Sequence, residues 1–340
     1  MRFILAIIAV IGLAACEETS STREQISLAG TTMGTTYSIK AIVAPGSLSA
    51  KKLQAEVEYG LKLVNNAMSN WVPTSEVERF NKSRSTEWLP ISGDLSNVMQ
   101  EALIIHSKSG GRFDVTLAPL IDLWGFGPSK ETAARPSDAQ IRDALSSVGM
   151  NTMLEYESNP PALRKVNPET TINLSAIAKG YGIDKMAQVL RDSGFTEFLV
   201  EIGGDLYAQG QNARNQSWIV GIERPDQALQ QVEKLVRLSD QGMATSGDYR
   251  NYREVDGKRV AHIIDAVTGE PISHRLASVT VIAQNATKAD GWATAIYALG
   301  EERGMEVAEQ EGLAVFMIVR DGTGFKQITS SAFSALEVSK

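Results

Sequence analysis

His262–Pro271 reads HIIDAVTGEP and Thr287–Ala295 reads TKADGWATA, and these two stretches are the most informative part of the 340-residue chain. In the second stretch Asp290 and Thr294 are four residues apart, so a helix would place both on one face, one turn apart. A carboxylate and a hydroxyl placed in this way offer two oxygen ligands of the kind that Mg²⁺ prefers. Taken alone, these residues favour a simpler interpretation, in which Thr287 caps the helix and Asp290 stabilises its positive end.

The N-terminus has the features of a bacterial lipoprotein signal. Met1-Arg2 is a short positive region, Phe3–Leu13 is apolar but short for a membrane span, and small residues precede Cys16. The alternatives are a short membrane anchor or an ordinary signal peptide, but Cys16 is the only cysteine of the chain and stands at the expected cleavage site. Once this cysteine carries lipid, no thiol remains for a disulfide.

The composition is that of a globular protein, with 43% hydrophobic and 21% charged residues. The net charge is −7 and no cluster of Lys and Arg occurs, so nucleic acid is not expected as a partner. No Pro/Gly-rich linker divides the chain after the lipoprotein signal. We therefore expect a signal peptide over residues 1–15, a lipidated cysteine and polar tether over residues 16–23, and one large domain over residues 24–340.

Helical and extended patterns alternate along this domain. Amphipathic periodicity and capping signals predict helices at Lys51–Met68, Asp94–Ser109, Ser137 to near Gly149, Ser175–Ser193, Thr287–Leu299 and Glu301–Glu311. Apolar runs predict strands at Phe198–Ala208, Trp218–Glu223, Val232–Ser239, Leu276–Gln284 and Leu313–Val319, with a hairpin turn at Asp256-Gly257. Hairpins mixed with single helices predict an α+β fold with mixed or antiparallel sheets and flanking helices.

Three clusters rich in glycine lie between or within these elements. Ile202–Asp205 interrupts a strand, which indicates either a plain turn or the close approach of a ligand. Thr245–Gly247 is expected in a loop. Ala178–Gly182 begins a helix, and the free N–H groups of a helix start are suited to phosphate.

The chain has three histidines, and none has zinc-ligand spacing with another. His106 falls in a predicted helix, where a structural role is expected, and His274 falls in a predicted loop. Only His262 has a neighbour that suggests chemistry, because Asp265 follows three residues later.

Further segments with distinctive sequences follow one another in a fixed order. They are Thr32–Tyr37 (TMGTTY), Met68–Trp71 (MSNW) with Arg79-Phe80-Asn81, Gly110–Gly127 (GGRFDVTLAPLIDLWGFG), Ile172–Asp184 (INLSAIAKGYGID), VEIGGDLYAQG, ATSGDYRNY, HIIDAVTG and KADGWATA. In these segments, from about Ala29 to Glu337, the chain resembles the FAD:protein FMN transferases, the ApbE family.

The resemblance implies a flavin site and a magnesium site. The residues expected at FAD are Met33, Trp71, Arg112, Phe113, Asp114, Asn173, Lys179 and Ile264. The residues expected at Mg²⁺ are Ala176, through its backbone carbonyl, Asp290 and Thr294.

The resemblance also implies a reaction in which FMN passes from FAD to a threonine or serine hydroxyl of a target protein and AMP is released. His262 is expected to move a proton or stabilise a phosphate, and Asp265 either orients it or acts as the base itself. The implied targets are flavin-accepting subunits of membrane redox complexes, and the implied location is the inner membrane, facing the periplasm. Two alternatives remain open at this point, namely a hydrolase that splits FAD into FMN and AMP, and a non-enzymatic flavin carrier tethered to the membrane.

The first prediction concerns the anchor. Cys16→Ser should leave folding and activity intact but abolish lipid attachment, because no other thiol is available for acylation. Membrane fractionation at high salt, together with the intact mass of the processed protein, measures this. A serine variant that is still processed and stays in the membrane pellet would show that Cys16 is not the lipid site.

Overall fold

A computed structural model describes residues 23–128, 134–225, 231–248, 252–255 and 258–337. Cys16 and the predicted Asp256-Gly257 turn lie outside these ranges. The strands are β1 Gln25–Thr32, β2 Thr35–Ile42, β3 Leu89–Pro90, β4 Leu154–Ser158, β5 Pro161–Lys165, β6 Phe198–Ile202, β7 Asp205–Gln209, β8 Trp218–Glu223, β9 Val232–Leu238, β10 Gln241–Gly247, β11 Tyr252–Val255, β12 Lys258–Ala261, β13 Leu276–Ala283, β14 Ala314–Asp321 and β15 Gly324–Thr329. The helices are α1 Ala50–Met68, α2 Glu76–Lys82, α3 Gly93–Lys108, α4 Ala118–Leu123, α5 Asp138–Leu145, α6 Met150–Met153, α7 Ala178–Asp192, α8 Ala286–Gln310 and α9 Ser331–Ser334, with a 3₁₀ turn at Val115–Leu117. In the part of the chain so described, no helix combines the length and the apolar character needed to cross a membrane.

The centre of the fold is an eight-stranded sheet in the order β1-β2-β6-β7-β10-β13-β14-β15, in which neighbouring strands are antiparallel. The α+β prediction is therefore confirmed. Helices α1, α3, α7 and α8 pack together on one face, and the β8–β9 hairpin and α9 cover the other. Strand β13 is buried on both faces, which is why LASVTVIA is a nearly continuous apolar run rather than an alternating one.

Several predicted elements have the expected bounds within a few residues. Ser137 accepts from the backbone N–H of Gln140 and the side chain of Gln140 accepts from Ser137, so the predicted capping box is confirmed. The two helices predicted at the C-terminal end lie on either side of Gly300, whose φ of 78° and ψ of −179° are non-helical, so α8 is divided there by a kink. The cap of this helix was predicted wrongly. Asn285 is the N-cap and accepts from Lys288 N at 2.8 Å, whereas Thr287 lies inside the first turn.

Tertiary pairing explains the other departures from the predicted elements. The run Phe198–Ala208 is two strands, because Gly203 and Gly204 take φ values of 59° and 98° and turn the chain back on itself. Thr245–Gly247 is the end of β10 rather than a loop, because it pairs with residues 278–280 of β13. The β1–β2 hairpin was not predicted.

Helices α7 and α8 approach the sheet and each other at two glycines. A Cβ atom on Gly180 of α7 would lie 2.2 Å from the carbonyl oxygen of Ala286, at the start of α8. A Cβ atom on Gly242 of β10 would lie 2.4 Å from the backbone nitrogen of the same residue. The first turn of α8 is thus pressed between α7 and β10 with no space for a side chain.

This packing predicts the effect of two glycine substitutions. Gly242→Ala should destabilise the protein by about 3 kcal/mol or more, because the added methyl group meets backbone atoms that cannot move aside. Gly93→Ala, at the first residue of α3 where no atom lies within 4 Å, should change the free energy of unfolding by less than about 1 kcal/mol. Chemical denaturation of the two variants measures the difference. Equal midpoints would contradict the packing described for α8.

Candidate functional site

A cleft of about 510 Å³ opens between the β1–β2 turn, the starts of α7 and α8, strand β10 and the segment that follows β12. Its lining includes all eight residues expected at FAD: Met33, Trp71, Arg112, Phe113, Asp114, Asn173, Lys179 and Ile264. It also includes the three residues expected at the metal, Ala176, Asp290 and Thr294, together with His262. Residues from distant parts of the sequence therefore meet at one cavity.

The expected metal ligands form a compact set of oxygen atoms. The hydroxyl of Thr294 lies 3.5 Å from the carbonyl oxygen of Ala176 and 3.1 Å from the hydroxyl of Ser246. Asp290 lies one turn before Thr294 on α8 and accepts from the N–H of Gly180 at 2.8 Å through Oδ2. A carboxylate, a hydroxyl and a carbonyl are hard donors that suit Mg²⁺.

The carboxyl group of Asp290 is buried, with 4% of the residue exposed. Burial raises the pKa of Asp290 to about 7, and the charges of Asp205 and Asp184 add to the rise, whereas Lys179 and the N–H of Gly180 lower the pKa. A bound divalent cation would favour the ionised carboxylate. Over the described residues, no three His, Cys, Asp or Glu side chains come together as a metal cluster. The metal site expected here is of a different type, because only one of its three ligands is a carboxylate.

Sequence reasoning missed Asp205. This residue begins β7, is 2% exposed and lines the cleft. It forms an ion pair with Lys179 and accepts from the N–H of Thr245 at 3.0 Å. The sequence contained an indication, because Asp205 directly follows the Gly203-Gly204 pair. The pair was explained as a turn or as a place of close ligand approach, and neither explanation assigned a role to the acidic residue that follows.

Met33 is held in an unusual backbone conformation at the mouth of the cleft. Met33 and Gly34 form the two-residue β1–β2 turn with φ values of 49° and 74°, which is the left-handed turn that matches the twist of a hairpin. The Met33 side chain lies over α7, because a Cβ atom on Gly182 would be 2.8 Å from its terminal methyl carbon. Trp71 also lines the cleft and is 60% exposed.

Two of the predicted flavin residues also hold the cleft wall together. Asp114 accepts from the backbone N–H groups of Thr116 at 2.7 Å and Met150 at 2.8 Å. Asn173 accepts from the N–H of Ser175 at 2.9 Å. These bonds stabilise the loops whose backbone forms the wall.

The two predicted catalytic residues occupy different places. His262 follows β12, lines the cleft, and has the ring of Phe126 at 6.3 Å in an edge orientation. Asp265 lies outside the lining of the main cleft, in a smaller adjoining pocket. Its carboxylate is ion-paired with Arg112 and accepts from the N–H groups of Val267 and Thr268. The geometry thus brings His262, but not Asp265, into the cavity lined by Ala176, Asp290 and Thr294.

The other two histidines lie in a helix and in a loop, as predicted, and each hydrogen-bonds to a backbone carbonyl oxygen. His106 is buried in α3 and its Nδ1 is 2.8 Å from the carbonyl oxygen of Phe113. His274 lies in the segment before β13, and its Nε2 is 2.7 Å from the carbonyl oxygen of Tyr297.

Comparison with known proteins identifies the family. The model of the ApbE family matches residues 33–317. The chain belongs to the ApbE family. It is 41% identical over 332 residues to the FAD:protein FMN transferase of Vibrio cholerae, with 98% of each sequence covered. It is 40% identical over 342 residues to the FAD:protein FMN transferase of Haemophilus influenzae, with 99% of this chain and 98% of the relative covered.

Solved structures of this family share the fold. The flavin transferase ApbE from Vibrio cholerae superposes with a TM-score of 0.85 at 41% identity, covering 92% of this chain and 99% of that one. The apo form of the Pseudomonas stutzeri flavinyl transferase ApbE gives the same TM-score at 35% identity, with 92% and 97% covered. The α+β architecture is therefore that of ApbE transferases.

The oxygen set predicts a graded effect of substitution. Asp290→Asn should keep the helix but remove the only charge among the three expected ligands, so Mg²⁺ binding should weaken most in this variant. The Mg²⁺ affinity of Thr294→Ala should lie between those of Asp290→Asn and the wild type, because a neutral hydroxyl contributes less to Mg²⁺ binding than a carboxylate does. Titration calorimetry with Mg²⁺ measures this order. Wild-type affinity in Asp290→Asn would mean that this carboxylate only serves α7 through Gly180.

Proposed function

We propose that this chain transfers FMN from FAD to a threonine or serine hydroxyl of an acceptor protein, releases AMP, and uses Mg²⁺. One observation carries the proposal. A single cleft brings the residues expected at the flavin together with a buried carboxylate, a hydroxyl and a carbonyl that suit a divalent cation. The relatives that share the whole length of the chain are named for this transfer.

The charges at the head of the cleft suit a pyrophosphate. Ala176, Asp290 and Thr294 would hold Mg²⁺, which when bound neutralises charge on the phosphates as the bond breaks. Lys179 lies in the first turn of α7, and its ion pair with Asp205 holds the ammonium group in the cleft. Phosphoryl transfer depends mainly on such positioning and charge.

The chemical step needs one proton acceptor. The acceptor hydroxyl oxygen bonds to the phosphorus nearer riboflavin, and the bond from that phosphorus to the bridging oxygen breaks. AMP leaves with the bridging oxygen, and FMN remains on the acceptor as a phosphoester. His262 lines the cleft and takes the hydroxyl proton, while the Asp265–Arg112 ion pair holds the Arg112 guanidinium at the cleft wall.

We further propose that Cys16 anchors the enzyme by lipid to the inner membrane, facing the periplasm. Support for this comes from the lipoprotein signal in the sequence, which places the only cysteine after small residues. Flavin-accepting subunits of membrane redox complexes are then the proposed acceptors, because an anchored enzyme searches the membrane surface rather than the bulk.

Hydrolysis of FAD is the competing activity, because water in place of the acceptor hydroxyl would give free FMN and AMP. The test incubates the protein with FAD, Mg²⁺ and flavin-accepting subunits of membrane redox complexes, and measures the intact mass of each subunit. A gain equal to FMN on a threonine or serine, with AMP formed in equal amount, supports transfer. Formation of AMP without any gain of mass would establish the hydrolase instead.

His262→Ala should reduce transfer by roughly 10²–10⁴-fold while FAD and Mg²⁺ still bind, if the imidazole moves the proton. His274→Gln is the matched control, because the amide can replace Nε2 at the carbonyl of Tyr297 and His274 lies outside the lining of the cleft. Rates come from the mass assay, and FAD binding comes from flavin fluorescence. Wild-type turnover in His262→Ala would remove the histidine from the mechanism.

A further inference from the structure

Helices α7 and α8 cap each other. Asp184, in the second turn of α7, accepts from the backbone N–H groups of Ala286 and Thr287 at 2.9 Å each, and from the Thr287 hydroxyl. In return Asp290, in the second turn of α8, accepts from the N–H of Gly180 in the first turn of α7. Each helix start therefore receives a carboxylate from the other helix.

Neither helix supplies these caps from its own residues. The N-cap of α7 is Ile177, whose side chain makes no capping hydrogen bond. The N-cap of α8 is Asn285, whose side chain accepts from Lys288 N and leaves the N–H groups of Ala286 and Thr287 to Asp184. Unsatisfied N–H groups at a buried helix start are costly, so the exchange fixes how the two helices are placed.

The expected metal ligands are divided between the same two helices. Ala176 lies just before α7, whereas Asp290 and Thr294 lie on α8. The 3.5 Å separation between the Thr294 hydroxyl and the Ala176 carbonyl therefore depends on the placement of one helix start against the other. Since Asp290 is itself a ligand, the remaining carboxylate in the exchange is Asp184.

Close packing makes this placement sensitive. Gly180 already touches the backbone of Ala286, and Gly242 presses on the same residue from the sheet. Because backbone atoms are in contact here, neighbouring side chains cannot compensate for a shift of α8. Loss of the Asp184 bonds should thus move the ligands on α8 relative to Ala176.

We propose that Asp184 is a positioning residue for the metal site, which sets the distance between the Ala176 carbonyl and the ligands of α8 without touching the cation. The proposal rests on the metal assignment of the proposed function. It adds a residue that keeps the Ala176 carbonyl, next to α7, at a fixed position relative to Asp290 and Thr294 on α8.

The test measures binding of Mn²⁺, as a spectroscopic substitute for Mg²⁺, by electron paramagnetic resonance in the absence of FAD. Asp184→Asn should weaken Mn²⁺ binding by about tenfold or more, as is typical when a group that orients metal ligands is lost. Asparagine cannot accept all three bonds, although Asp290 and Thr294 are unchanged in this variant.

Two further variants separate positioning from general destabilisation. Thr287→Val removes only the hydroxyl bond and should weaken Mn²⁺ binding by a smaller factor than Asp184→Asn, whereas Thr287→Ser keeps this bond and should bind Mn²⁺ like the wild type. Ser330→Ala is the matched control, because Ser330 is buried and accepts from the N–H of Val315 at 2.8 Å, away from the cleft. It should lower the melting temperature and leave Mn²⁺ affinity unchanged.

Each outcome decides the proposal. Wild-type affinity for Mn²⁺ in a folded Asp184→Asn variant overturns it. If Asp184→Asn fails to fold, equal affinities in Thr287→Val and Thr287→Ser overturn it, and a difference between them supports it. A wild-type protein that binds Mn²⁺ but flavinylates no acceptor would contradict the proposed function alone, whereas a wild-type protein that binds no Mn²⁺ would overturn the metal assignment and the role of Asp184 together.

Discussion

The contact between the first turns of α7 and α8 is the constraint on which the rest of the site depends. Gly180 and Gly242 bring α7, α8 and β10 together at distances that exclude even a methyl group. The backbone at this point carries no flexible side chain that could adjust. The part of the cleft lined by Ala176, Lys179 and Asp290 is rigid for the same reason, because all three residues lie within two turns of the contact.

The region around the same contact holds three acidic side chains that are largely shielded from solvent. Asp184, Asp205 and Asp290 are all buried or nearly so, and Lys179 is the cation paired with Asp205. Burial raises the pKa of Asp184 as well as that of Asp290, while the bonds from Thr287 and Ala286 lower the pKa of Asp184. Such a group of carboxylates costs free energy in the absence of a cation, and that cost is a usual feature of sites built for function rather than for stability.

Local signals in the sequence were enough to predict helices α1, α3, α5, α7 and α8 and the α+β class, but not the short helices α2, α4, α6 and α9. Such signals involve residues only a few positions apart. Examples are the apolar stripe of α1, the capping box of α5 and the small residues of α7. Strand β10 could not be predicted in this way, because Gln241–Gly247 is rich in small and polar residues and becomes a strand through its pairing with β7 and β13. Asp205 was missed for a related reason, since its burial and its partner Lys179 are set by long-range contacts. Most of the site residues were predicted through the family resemblance, whereas the residues alone favoured a simpler role for Asp290, as a negative charge that stabilises the positive end of its helix.

The cleft joins the β1–β2 turn, near the start of the domain, to α8, near its end. A cavity whose walls are so far apart along the chain exists only when the central sheet is formed. The unfolded or partly folded chain therefore offers no comparable binding surface. A ligand that binds this cleft only in the folded domain would raise the free energy of unfolding by an amount that grows with its free concentration relative to its Kd. A supply of such a ligand would therefore reduce the population of the unfolded chain, which is the form that proteases cleave.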